Sequence, residues 1–214
     1  MPTASFTATL FARRASASSN YLDDRAAQGA YAGNEKLVGI INFRTMNMKN
    51  KVITGITFRT TCTSKAGAGN GSKKTLYFKK STRADPTNST GGTGSSYVGD
   101  ALGSLSGTNF YDASNTTRKV DEGTSLFTNL KAYFEAGNHT LVIYAPDSVP
   151  SSSYSTNYLY INKMVVDITY VEGLVYYGNG EAWGKSMAFW PVDGAWKQCV
   201  PYFCVDGVWK QCGG

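Results

Sequence analysis

A single histidine, His139, stands in 214 residues. General acid–base catalysis and metal binding both lean on that side chain, so its scarcity narrows the chemistry at once. Cysteine is nearly as sparse. Cys62 is isolated, and Cys199, Cys204 and Cys212 sit in the tail with C-x4-C-x7-C spacing. That spacing, with His139 far away in sequence, supplies no four-ligand zinc set. We expect reduced, half-buried thiols, with a tail disulfide as the alternative. No apolar h-region follows Met1-Pro2-Thr3-Ala4, and no apolar run reaches about 18 residues, so neither a signal peptide nor a membrane-spanning helix is expected.

Charge is also thin, at 17% of residues, and the net +6 is dispersed. The densest groups are Arg13-Arg14, Lys73-Lys74 and Lys79-Lys80. A nucleic-acid surface needs a basic stripe with aromatic platforms, and Tyr77-Phe78 between the two lysine pairs is the only candidate. A solvated strand edge is the ordinary reading, and no nucleic-acid partner is expected. The fifteen acidic residues show no pairing motif. Asp23-Asp24 and Asp121-Glu122 read as loop or cap residues, and His139 as a turn residue at the start of a strand. G-x-S-x-G is absent, as is a Cys-His pair of plausible spacing. The expectation is a non-enzyme with no catalytic residues, no metal and no cofactor.

What the chain does have is a repeat with a period of thirteen in its last forty residues. Tyr176, Phe189 and Tyr202 fall in register, as do Tyr177, Trp190 and Phe203, and as do Trp183, Trp196 and Trp209. Asp193-Gly194 and Asp206-Gly207 are two-residue hairpin signals, because a type I′ turn needs positive φ at both central positions. The turn sets the pairing: Val205 with Val208, Cys204 with Trp209, Phe203 with Lys210. One ribbon face then carries Tyr202, Cys204, Trp209 and Gln211, and the other Phe203, Val205, Val208, Lys210 and Cys212. Both faces are too apolar for a lone ribbon in water, so each unit must stack on neighbours or on another chain. Tyr176, Trp183, Phe189, Trp190, Trp196, Tyr202, Phe203 and Trp209 are therefore the candidate residues for oligomerisation. Stacking on sugar rings is the competing use of the same aromatics.

Before the tail, short β-rich runs alternate with Gly, Ser, Asn and Asp clusters, which predicts an all-β protein. Strands are expected at Leu37–Phe43, Val52–Thr60 (with Ile53 and Phe58 in the core), Thr75–Lys79, Thr140–Tyr144, Tyr158–Ile161 and Met164–Tyr170. One helix is expected over Ser125–Ala136, capped by Thr124 or Ser125 and ended by Gly137. Two polar stretches, Ser64–Ser72 and Asp85–Ser96, read as long sandwich loops, where binding specificity resides. The Gly-rich first one lacks the G-K-[ST] ending of a phosphate loop. The predicted organisation is an N-terminal arm or first edge strand (1–30), an antiparallel jelly-roll β-sandwich with one short helix (31–170), and three thirteen-residue hairpin repeats (171–214).

The segments Val38-Gly39-Ile40-Ile41-Asn42-Phe43, Gly137-Asn138-His139-Thr140-Leu141-Val142-Ile143-Tyr144, Tyr154-Ser155 and Asp167-Ile168-Thr169-Tyr170 resemble the jelly-roll modules of structural and fibre (adhesin-like) proteins of tailed phages of Gram-positive bacteria. The aromatic-x-x-Asp-Gly-x-Trp units look like the short hairpin repeats that end many such proteins. The resemblance implies a homotrimeric virion component, made in the host cytoplasm and exposed on the particle beside other virion proteins. It implies no catalysis and no membrane insertion, with host-surface glycans as candidate ligands. A free carbohydrate-binding module with exposed aromatics is the alternative.

Overall fold

The computed structural model describes residues 1–31, 35–63, 75–106, 116–145, 158–171, 174–178, 183–192, 195–199, 202–205 and 208–211; the side chains of the tail strands are outside the described set. Eleven strands form one curled antiparallel sheet: β1 (Thr3–Thr7), β2 (Thr9–Arg14), β3 (Asn20–Leu22), β4 (Ala26–Tyr31), β5 (Glu35–Asn42), β6 (Val52–Thr63), β7 (Thr75–Ser81), β8 (Val98–Ser106), β9 (Thr116–Lys119), β10 (Thr140–Ile143) and β11 (Tyr158–Val171). One helix, α1 (Ser125–Glu135), lies between β9 and β10. The described residues before the tail make an all-β sandwich with one α-helix. Its tail strands are β12 (Leu174–Gly178), β13 (Trp183–Val192), β14 (Ala195–Cys199), β15 (Tyr202–Val205) and β16 (Val208–Gln211).

The curl arises at β5, whose edge is shared by two neighbours. Residues Gly39 to Asn42 pair with β10, while Glu35 to Leu37 pair with β4. From β10 the ladder continues through β7 to β8; from β4 it continues through β11 and β6 to β9. The result is two layers, β3-β2-β5-β10-β7-β8 and β1/β4-β11-β6-β9, with β1 and β4 set end to end along β11. Gly39 sits at the seam. A Cβ there would lie 2.7 Å from the backbone N and O of Ala27, so the layers meet backbone to backbone with no room for a side chain.

Period-2 alternation fills the space between the layers. Met164, Val166 and Ile168 of β11 are fully buried, as are Ile41 of β5 and Leu141 and Ile143 of β10. Phe58 and Phe78 stack across the core with centroids 5.0 Å apart and ring planes 16° from parallel. Ile53 and Phe58 both reach this core because the pairing with β11 slips between Thr169/Gly55 and Tyr170/Ile53, a bulge that changes the parity of β6. A second register shift, between Ile161 and Lys163, lets the expected pair Tyr158–Ile161 and Met164–Tyr170 run on as the single strand β11.

The helix closes one end of the sandwich with Leu126, Phe127, Leu130, Tyr133 and Phe134 buried. Thr124 Oγ1 accepts from the Phe127 amide at 3.2 Å, satisfying an otherwise free helix-start donor. At the other end Gly137 takes φ +91. The Gly137 amide donates to Phe134 O and the Asn138 amide to Tyr133 O, the two bonds of a left-handed C-terminal cap.

Residues 1–30, for which an attachment arm and a first edge strand were both open, contribute β1–β4 to the sheet. Their weak hydrophobic signal has a physical cause. Ala12, Ala26 and Ala27 occupy fully buried positions with side chains that add little to a hydrophobic pattern. The expected loop at Asp85–Ser96 is a packed flap over the outer face of the first layer. There Tyr97, which follows it, is fully buried with Phe11, Val38, Ile40 and Val142. The expected loop Ser64–Ser72 lies outside the described residues.

Candidate functional site

In the tail, the sequence repeat is a repeat of backbone register. The pairs Gly178↔Trp183, Pro191↔Trp196 and Cys204↔Trp209 occupy equivalent positions beside successive turns. One step further from the turn come Tyr177↔Gly184, Trp190↔Lys197 and Phe203↔Lys210, then Tyr176↔Lys185, Phe189↔Gln198 and Tyr202↔Gln211. The divergent first copy therefore keeps the same register despite lacking the Asp-Gly turn. Strand β13 serves two hairpins: its first half pairs with β12 and its second half with β14. Trp183, Trp196 and Trp209 thus hold one equivalent station near the turns of their hairpins, and Trp190 lies one step further back on the opposite strand of the second. Cys199, Cys204 and Cys212 carry no described side chain, so their bonding lies outside the described residues.

Within the sandwich, the densest polar constellation surrounds the flap, and sequence reasoning did not single it out. Arg13 is only 2% exposed yet has no carboxylate partner among the described residues. Its guanidinium donates to Gly92 O (2.7 Å), Asn88 O (2.9 Å), Thr90 O (2.6 Å) and Ser18 O. Tyr97 Oη reinforces the same loop through Thr90 O at 2.6 Å and Gly91 O at 3.1 Å, with its ring under the guanidinium at 5.3 Å. The only sequence signal was an arginine two residues from Phe11, on the same face of a short strand.

Beside the flap, Asp85 gathers three partners. Asn42 Nδ2 donates to Asp85 Oδ1 at 2.7 Å, Arg44 Nε donates to Oδ2 at 3.0 Å, and His139 Nε2 lies 3.8 Å from Oδ1. The Asn42 hydrogen bond, with the cation of Arg44 behind it, holds the Asp85 carboxyl below its ordinary value. His139 also has a backbone role, since its carbonyl accepts from the Phe43 amide at 2.9 Å immediately before β10. A cleft of about 220 Å³ opens here, lined by Thr9, Phe11, Asp23, Asn42, Arg44, Pro86, Thr87 and Asn88.

Other candidates resolve into structure. Phe78 of the Tyr77-Phe78 pair is 1% exposed in the core, so it offers no stacking platform. Cys62 is buried in β6, and burial pushes its thiol up to about 12, far from a reactive thiolate. A groove of about 480 Å³ runs between α1 and β8. Its amides are already spent, Asn129 on Leu102 O and Asn138 on Tyr133 O. No cluster of three or more His, Cys, Asp or Glu side chains that could hold a metal occurs among the described residues, and no helix there is long and apolar enough to cross a membrane. No protein-family model matches the chain, and no curated protein matches it.

Proposed function

We propose that the chain is a non-enzymatic structural subunit of a phage virion, a fibre, decoration or adhesin protein exposed on the particle. The sandwich is the displayed domain and the hairpin repeats hold copies of the chain together, as a trimer, with other virion proteins as neighbours and host-surface glycans as ligands. The observation that carries this reading is the common register of the three hairpins. A backbone that repeats in step, with aromatic residues at the same station of every copy, suits stacking of like units rather than a one-off catalytic pocket. A two-stranded ribbon has no core of its own, so its apolar side chains gain most when a neighbouring chain removes them from water.

Alanine at Trp196 and Trp209 tests the reading in the full-length chain. If these side chains form an interchain core, each change lowers the association state and costs about 3–5 kcal/mol of stability. Unchanged mass and stability, with loss of polysaccharide binding, would favour a free carbohydrate-binding module instead.

A further inference from the structure

We propose that the cleft between β2, the end of β5 and the flap is a subsite for one ring of a neutral sugar; this rests on the glycan-binding part of the proposed function and places that binding on the sandwich. Unmet hydrogen-bonding capacity reaches this cleft through Asn42, with further partnerless atoms around the flap beside it. Seven buried side-chain polar atoms lack a hydrogen-bond partner among the described residues, and four belong to groups that meet residues 85–92: Arg13 Nε, Asn20 Oδ1, Asn42 Oδ1 and His139 Nε2. A buried polar atom without a partner is costly, so Asn42 Oδ1, the one of the four whose residue lines the cleft, marks where a further polar molecule belongs.

The chemistry selects its class. Both amide hydrogens of Asn42 are committed, to Asp85 Oδ1 at 2.7 Å and Pro86 O at 3.0 Å, which leaves Oδ1 as an acceptor that needs a donor. Asn20 is fixed in the same sense by Asp23 Oδ1 at 2.8 Å and Asn88 O at 2.6 Å. Asp23 adds a carboxylate to the lining, so the cleft is rich in acceptors and would repel an anion. Arg44 at its rim, 64% exposed and bonded to Asp85 through Nε alone, keeps terminal donors available and disfavours a bare cation. A group that both donates and accepts, on a small uncharged frame, meets all of these demands; a sugar's vicinal hydroxyls do so. The volume of about 220 Å³ corresponds to one ring rather than a chain.

The test is backbone-amide NMR of the full-length protein titrated with glucose, galactose, rhamnose and N-acetylglucosamine. At least one sugar should shift the amides of Asn42, Arg44 and Asn88. Asp23→Ala and Arg44→Ala, both at exposed positions, should each weaken binding about tenfold with the melting temperature unchanged. Binding that survives both changes but disappears in Trp196→Ala or Trp209→Ala would overturn this subsite while leaving glycan binding to the tail. No shift with any of the four sugars would show that water alone fills the cleft; the assembly role of the tail would be untouched, because mass measurement tests it separately.

Discussion

The side chain of Gln28 completes the hydrogen-bond ladder of Tyr77. Its Oε1 accepts from the Tyr77 amide at 2.9 Å, and its Nε2 donates to the carbonyl of Thr75 at 2.8 Å. Strand β7 pairs with β10 only from Phe78 onward, so the fully buried glutamine of the corner strand β4 substitutes for a missing backbone neighbour. Gln28→Leu keeps the volume but strands a buried amide and a buried carbonyl. Chemical denaturation should show a loss of about 2–4 kcal/mol. A change below about 0.5 kcal/mol would mean that water or another group serves those atoms.

Gly39 tests the seam itself. Gly39→Ala would bring a methyl group to 2.6 Å from Ile143 Cγ1 and 2.7 Å from the backbone of Ala27, where the backbone cannot step aside cheaply. We expect a loss of about 3 kcal/mol or more. A near-neutral result would show that the two layers do not close at this residue.

Much of this architecture was legible in the sequence, and the gaps have physical causes. Helix α1 could be read almost to the residue because Thr124, the buried spacing of Leu126, Leu130 and Phe134, and Gly137 all point the same way. The tail register was legible for a similar reason: Asp-Gly fixes a two-residue turn, and the turn fixes every pair above it. Strands β1 to β4 were not. Beyond Leu10 and Phe11, their buried positions hold Ala12, Arg13, Ala26, Ala27 and Gln28, which carry little hydrophobic signal. The cluster at Asp85 escaped notice because Asn42 and Arg44, Asp85, and His139 come from three distant segments: the pairing of β10 with β5 sets His139 near Asn42, and hydrogen bonds from Asn42 and Arg44 hold Asp85 against them.

Arg13 should govern the flap. Arg13→Met keeps an apolar stem but leaves the carbonyls of Asn88, Thr90 and Gly92 without their donor. Amide exchange should accelerate across residues 87–97 and much less in β6 and β11. Uniform loss of protection throughout the sandwich, or none at all, would contradict the latch.

Stability should fall in alkali through Cys62. Burial raises its thiol to about 12, whereas an unfolded cysteine ionises near 8.5. The folded chain therefore keeps a proton that the unfolded chain has lost, and stability declines as pH rises through that interval. Tyr133, also raised chiefly by burial, adds to the decline at its upper end. Replacing Cys62 with Ala should flatten the slope by about 1.4 kcal/mol per pH unit between roughly pH 9 and 11. An unaltered slope would show that the thiol titrates freely in the folded state.

The most direct test of the central claim is the mass of the chain in solution by light scattering, full length against a chain ending at Glu172, just beyond the buried Val171 that closes β11. A trimer that falls to a folded monomer on truncation is the predicted result. A trimer that survives the cut, or a monomer at both lengths, would contradict the assignment of assembly to the hairpin repeats.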